Sequence, residues 1–130
     1  MTLVVGLGCQ WGCDVHALLS LFDAALAEGG IDRNNITALA SIDLKKDEPG
    51  MLALAKALEV PLQCFSAEQL AAFEARLSHK SEVAFAHTRC YGIAESAALA
   101  LAEHLTGAPA RLLITRKKSA QATFALACAG

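Results

Sequence analysis

Aromatic residues are scarce, at 5% of the 130 residues, with a single Trp and a single Tyr. So few rings exclude a platform on which nucleic-acid bases stack. Excess charge is nearly absent too: the formal net charge is -2 and the pI is near 6.0. That balance argues against a nucleic-acid coat or a polybasic membrane module, so neither nucleic acid nor membrane is expected as a partner. No apolar run approaches the roughly 20 residues of a membrane span, because Asp, Glu, Lys or Arg interrupts every helix candidate. The apolar start Met1-Thr2-Leu3-Val4-Val5 lacks a basic leader and meets Gly6 too early for a secretory core. No Cys-x-x-Cys pair occurs, which disfavours thioredoxin-like exchange. Repeats, linkers and low-complexity tails are also missing.

What is present can fill a core. The chain is 55% hydrophobic with a mean hydropathy of +0.41, and a domain of this length buries roughly two thirds of its unfolded surface. The length fits one domain, residues 1–130. Much of the apolar count is alanine, which favours closely packed helices. The cysteines Cys9, Cys13, Cys64, Cys90 and Cys128 are odd in number, which predicts free thiols in a reducing, cytoplasmic compartment.

Apolar patterning predicts strands over Leu3 to Leu7, Ile36 to Ile42 and Val60 to Phe65, a weak one over Val83 to Ala86, then Leu112 to Thr115 and Thr123 to Ala127. Between them, Val15, Leu18, Leu19, Phe22 and Leu26 recur at helical spacing from Gly12 and stop at Gly29-Gly30. An acidic cap ahead of Pro49 opens a second helix through Leu58. Ser66-Ala67-Glu68-Gln69 has the capping-box pattern and starts a helix to about Arg76. An alanine-rich helix spans Ala94 to Leu105. Alternating strands and helices predict an α/β fold, a three-layer α/β/α sandwich with a mixed, mostly parallel sheet of about five strands. The last two strands form an antiparallel hairpin. Ligands of such folds bind beyond the carboxyl ends of the strands.

The chemistry-bearing residues cluster in the corresponding loops. Gly6-Leu7-Gly8-Cys9-Gln10-Trp11-Gly12 joins a strand to a helix; Gly8, Cys9, Gln10 and Gly12 there describe either a tight turn or a backbone cradle for an anion at the helix start. Its glycine spacing departs from the dinucleotide fingerprint. Cys9, Cys13 and His16 share a helical face, but no fourth ligand is nearby, so neither zinc nor another cofactor is expected. Asp43 and Lys45 follow the second strand, where a lysine meets ligand carboxylates and Asp43 orients a donor. His87, Arg89 and Cys90 precede Gly92 and the helix carrying Glu95, offering an arginine for an anion and a Cys–His pair for nucleophilic chemistry. Lys117 and Lys118, with Arg111 and Arg116 near them, concentrate positive charge in the terminal hairpin. Charge runs are also ordinary solvated turns. A glycine loop with two basic loops at one sheet edge describes a site for a polycarboxylate or a phosphate.

Several motifs occur together and in order. These are Gly6-Leu7-Gly8-Cys9-x-x-Gly12, Ser41-Ile42-Asp43-Leu44-Lys45-x-Asp47-Glu48-Pro49-Gly50, Gly92-Ile93-Ala94-Glu95-Ser96-Ala97-Ala98, and Lys117-Lys118-Ser119 with Thr123 to Ala127. On them the chain resembles the family of CobE and the CbiG C-terminal domain in cobalamin (vitamin B12) biosynthesis, and most closely its stand-alone members. The resemblance implies a three-layer fold and a part in building the corrin ring in the oxygen-dependent route. It implies a corrin or precorrin intermediate as partner, together with other enzymes of the pathway, and the many acetate and propionate groups of such rings suit anion-receiving loops. Three functions stay open on this reading. The first is a protein that binds or hands over a corrinoid intermediate. The second is a hydrolase opening the ring-A lactone of a precorrin-5-like intermediate, with Asp43, His87 or Glu95 as base. The third is a nucleotide-binding regulatory domain.

Overall fold

The computed structural model describes residues 1–88 and 90–130. Among the described residues five strands form one sheet: β1 (Thr2–Cys9), β2 (Ile36–Ile42), β3 (Leu62–Phe65), β4 (Ala110–Lys118) and β5 (Ala122–Ala129). Their order is β3-β2-β1-β5-β4. Strands β1, β2 and β3 run parallel, and β5 lies antiparallel to both β1 and β4. Helices α1 (Val15–Gly29) and α2 (Pro49–Leu58) make the two crossovers of the parallel half. After β3 the chain forms α3 (Ala67–Ala71), α4 (Glu82–Thr88) and α5 (Ile93–Thr106), and α5 packs on the opposite face. The result is the expected α/β architecture with a mixed sheet.

Local chemistry explains most boundaries. Gly30 closes α1 in the left-handed conformation at φ 68°, and Gly107 closes α5 at φ 67°. Pro49 sits in the first turn of α2. Ser66 and Gln69 form the reciprocal capping box of α3. Four elements differ from expectation. One is β4, expected to end at Thr115 before a basic loop, which runs on through Lys118 by pairing Lys117 with Phe124 and Lys118 with Thr123. Helix α1 starts at Val15, because Asp14, not the turn at Gly12, supplies the cap by accepting from the His16 N–H. The helix expected to reach Arg76 stops at Ala71 and continues as a 3-10 turn over Glu74–Arg76. Val83 to Ala86, expected as a strand, belongs to α4: Ser81 Oγ accepts from the Ala84 N–H, and this local cap outweighs a short apolar run.

Strand periodicity divides the core. Val4, Ala38, Ala40 and Ile42 face α5, whereas Val5, Leu7 and Leu39 pack with Leu18, Phe22, Met51 and Leu54 of α1 and α2. The α5 face is built from small residues, including Ala94, Ala97 and Ala98 on the helix. A Cβ built on Gly6 would come within 1.9 Å of the Ala94 carbonyl oxygen, so α5 lies almost directly on β1. The regular β1–β2 pairing ends at Gly6 and Ala40. Beyond it the buried Ser41 hydroxyl donates to the Leu7 carbonyl at 2.6 Å, satisfying an acceptor that the ladder leaves over.

Candidate functional site

The strand directions bring the carboxyl ends of β1, β2 and β3 to the same edge as the β4–β5 hairpin and the start of α5. There a cleft of about 600 Å³ opens, bounded also by α4. Of the residues singled out in the sequence, Gly8, Cys9, Gln10, Lys45, His87, Gly92, Glu95, Arg116 and Lys118 line it. Gly12, Asp43 and Lys117 do not, and Arg89 lies outside the described residues.

The glycine loop is a turn in which Cys13 N–H donates to the Gln10 carbonyl at 3.1 Å. Gly12 holds its third position at φ 73°, which L-residues adopt only with strain. The N–H groups of Gln10, Gly12 and Cys13 are committed within the protein. Gln10 N–H donates to the Gln121 carbonyl at 2.9 Å, and Gly12 N–H to Glu48 Oε1 at 2.8 Å. Glu48 is 1% exposed; rather than capping α2, its carboxylate ties the first two loops together. A close approach at Gly50, where a Cβ would meet the Cys13 carbonyl at 2.3 Å, holds the same pair of loops in place.

The cations are distributed unequally. Lys45 is 6% exposed, lines the cleft, and forms no ion pair with a described residue. Its ammonium stands 4.1 Å from the centroid of the Trp11 ring. Arg116 and Lys118 line the cleft from β4, while Lys117 pairs with Glu28 of α1 at 2.9 Å. Alternation along the strand separates Lys117 from its neighbours. Glu95, 1% exposed, holds the cleft wall: its carboxylate accepts from the Ser78 N–H at 2.8 Å, the His79 N–H at 3.3 Å, the Arg116 N–H at 2.9 Å and the Ser78 hydroxyl. Trp11, Thr88, Tyr91 and Ser119 line it too, from within the segments marked in the sequence but without an assigned role there. Period two puts Arg116 on the same side as Lys118.

The thiols are not poised as nucleophiles. Burial pushes the Cys9 thiol up from 9.0 to about 12, with Cys13 and Glu48 acting in the same direction and Lys45 against them. Burial also raises Cys13 and Cys64. Cys90 is buried, with its sulfur 3.4 Å from the Ser96 hydroxyl. At pH 8, Cys9 should carry on the order of a thousandfold less thiolate than a free cysteine of pKa about 8.5, and alkylate correspondingly slowly. Iodoacetamide labelling followed by peptide mapping of native and urea-unfolded protein checks this. Because the folded pKa lies above the unfolded one, the linked stability is complete below about pH 9 and is lost as pH rises toward about 12. Among the described residues no three His, Cys, Asp or Glu side chains are grouped to hold a metal ion, and no helix is long and apolar enough to cross a membrane.

The family described as Cobalamin synthesis G C-terminus matches residues 3–127, and the chain belongs to it: it is a cobalamin biosynthesis protein. It is 39% identical to Protein CobE from Sinorhizobium sp over 96% of its own length and 79% of that protein. A crystal structure of CobE, a protein from the cobalamin (vitamin B12) biosynthetic pathway, superposes with a TM-score of 0.93 at 43% identity, covering 97% of this chain and 89% of that one. The cobalt-precorrin-5A hydrolase of Priestia megaterium is 29% identical over 96% of the chain, which spans 32% of that longer protein.

Proposed function

We propose that this protein binds an anionic, polycarboxylate corrin-ring intermediate, of the precorrin or hydrogenobyrinic type, in the cleft at the carboxyl edge of the sheet. The observation that carries the reading is Lys45, a cation with 6% exposure and no carboxylate partner among the described residues, lining a cleft large enough for a ligand of several hundred Å³. A largely buried ammonium that faces a cleft and has no carboxylate beside it gains a charge-assisted hydrogen bond when a ligand carboxylate arrives. Arg116 and Lys118 add positive charge at the rim. The family supplies the chemical class, because corrin precursors carry many carboxylate side chains.

Binding is favoured over hydrolysis by the state of the candidate bases. Both oxygens of Glu95 are engaged by Ser78, His79 and Arg116, and Asp43 stands outside the cleft lining. His87 alone of the three lines the cleft without such a scaffold role. Titration of the purified protein with hydrogenobyrinic acid, followed by absorbance and mass, tests the reading: a shifted spectrum with unchanged mass supports it. A changed mass with any precorrin means catalysis. Lys45→Met, which keeps the stem and removes the charge, should weaken binding roughly ten- to a hundredfold, as loss of a desolvated charged hydrogen bond of about 1.5–3 kcal/mol implies. Lys118→Ala should cost about 1 kcal/mol or less, in a salt-dependent manner. Lys117→Ala, whose ammonium is turned toward Glu28, should bind like the parent. Equal affinity of the parent and Lys45→Met at low salt would overturn the assignment.

A further inference from the structure

Trp11 is the single tryptophan of the chain, and its side chain stands 74% exposed at the margin of the cleft. The largest apolar ring of a protein is ordinarily kept from water. The turn that carries it is held firmly: Gln10 N–H bonds Gln121, Cys13 N–H bonds Gln10, and Gly12 N–H bonds the buried Glu48 carboxylate. One face of the ring is covered by the Lys45 ammonium at 4.1 Å from the centroid, which leaves the other face open. Two further exposed apolar side chains, Leu44 at 49% and Val83 at 71%, line the same cleft. The rim therefore carries these apolar side chains beside Arg116 and Lys118 while Lys45 lies at depth, an arrangement that fits a ligand with a flat conjugated body and anionic substituents at its edge.

We propose that Trp11 is the surface against which the macrocycle lies face to face, with the Lys45 ammonium on the far side of the indole drawing a peripheral carboxylate into the cleft. The inference rests on the corrin-binding reading above and adds to it a residue that selects a conjugated ring over an aliphatic polycarboxylate. Cation and ring cooperate: a cation held over an indole is stabilised by the ring's quadrupole while it keeps its charge for an anion. Trp11 and Lys45 thus act as a unit, and the rigid turn sets the orientation of the ring before the ligand arrives.

The sole tryptophan makes the test direct, with hydrogenobyrinic acid as probe. Ring absorbance reports binding for every variant, and Trp emission reports on residue 11 in the parent. Saturable quenching of emission in step with the absorbance change is expected for the parent. Trp11→Ala should bind about tenfold more weakly, whereas Trp11→Phe, which keeps an aromatic face, should recover most of the affinity. Leu52→Ala, at an exposed α2 position that does not line the cleft, should match the parent. Citrate, an aliphatic polycarboxylate, should compete equally weakly in Trp11→Ala and parent. If absorbance shows binding but Trp11→Ala has parental affinity, the ring surface is overturned while the corrin-binding reading stands. If neither absorbance nor emission changes in the parent, both are overturned.

Discussion

Replacing Gly6 by alanine is expected to destabilise the protein by about 3 kcal/mol or more, near the upper end of overpacking effects, and to lower the melting temperature by roughly 10 °C. The added methyl carbon would sit 1.9 Å from the Ala94 carbonyl oxygen and 2.8 Å from the Ala98 nitrogen. Both contacts are helix backbone, so no side chain can rotate away, and α5 must lift from β1. Lifting it would also open the packing of Val4, Ala38, Ala97 and Ala98 on that face. Gly30→Ala is the contrast. Gly30 has φ 68° but open space around its Cβ position, so only the left-handed backbone penalty of about 1 kcal/mol applies. Urea unfolding of both variants against the parent checks the comparison. A Gly6→Ala protein as stable as Gly30→Ala would mean that α5 does not approach the sheet so closely.

Removal of the Glu95 carboxylate is expected to cost a similar amount, about 3 kcal/mol, because unsatisfied buried donors cost about 1–3 kcal/mol each and part of that is recovered by water. Glu95→Ala strands the N–H groups of Ser78, His79 and Arg116 together with the Ser78 hydroxyl. Glu95→Gln should lie between the alanine variant and the parent, since an amide presents one acceptor oxygen and turns its NH2 toward groups that are themselves donors. Amide hydrogen exchange at Ser78 and Arg116 should accelerate with the loss of stability. The position of Glu95 near the amino end of α5 favours an acidic side chain electrostatically, and the alanine variant loses that as well. The opposite outcome is a Glu95→Ala protein that melts with the parent yet fails to bind hydrogenobyrinic acid. That would make Glu95 a ligand-contacting group instead of the tie between β4, α5 and the loop at Ser78.

Much of this architecture was legible along the chain, and for local reasons. The Ser66–Gln69 capping box, the glycine stops at Gly30 and Gly107, Pro49 in the first turn of α2 and the continuous apolar runs of β1, β2 and β5 are each specified by residues within a few positions of one another. The same locality explains the misreading of Val83 to Ala86, where four apolar or small residues give no period and a serine hydroxyl decides in favour of helix. The loops that bear chemistry were also visible, because glycine and charge gather after strands.

What the sequence could not settle is which groups in those loops are free to meet a ligand. Glu48 looks like an ordinary acidic residue ahead of a proline, yet it is spent on Gly12, 36 positions away. Glu95 looks like a candidate base, yet it is shared among Ser78, His79 and Arg116. Lys117 and Lys118 are neighbours of the same type, but β4 pairs with β5 so that one meets Glu28 and the other lines the cleft. Lys45 becomes distinctive only once Trp11 is folded over it. By itself, then, the sequence determined the elements, their alternation and the loops that carry charge, because propensity and capping are settled within a turn or two of chain. Only the tertiary structure decided which carboxylates are consumed as ties and that Lys45 is buried at the cleft without a carboxylate among the described residues, because the strand order and the face each side chain takes bring together groups that no local pattern connects.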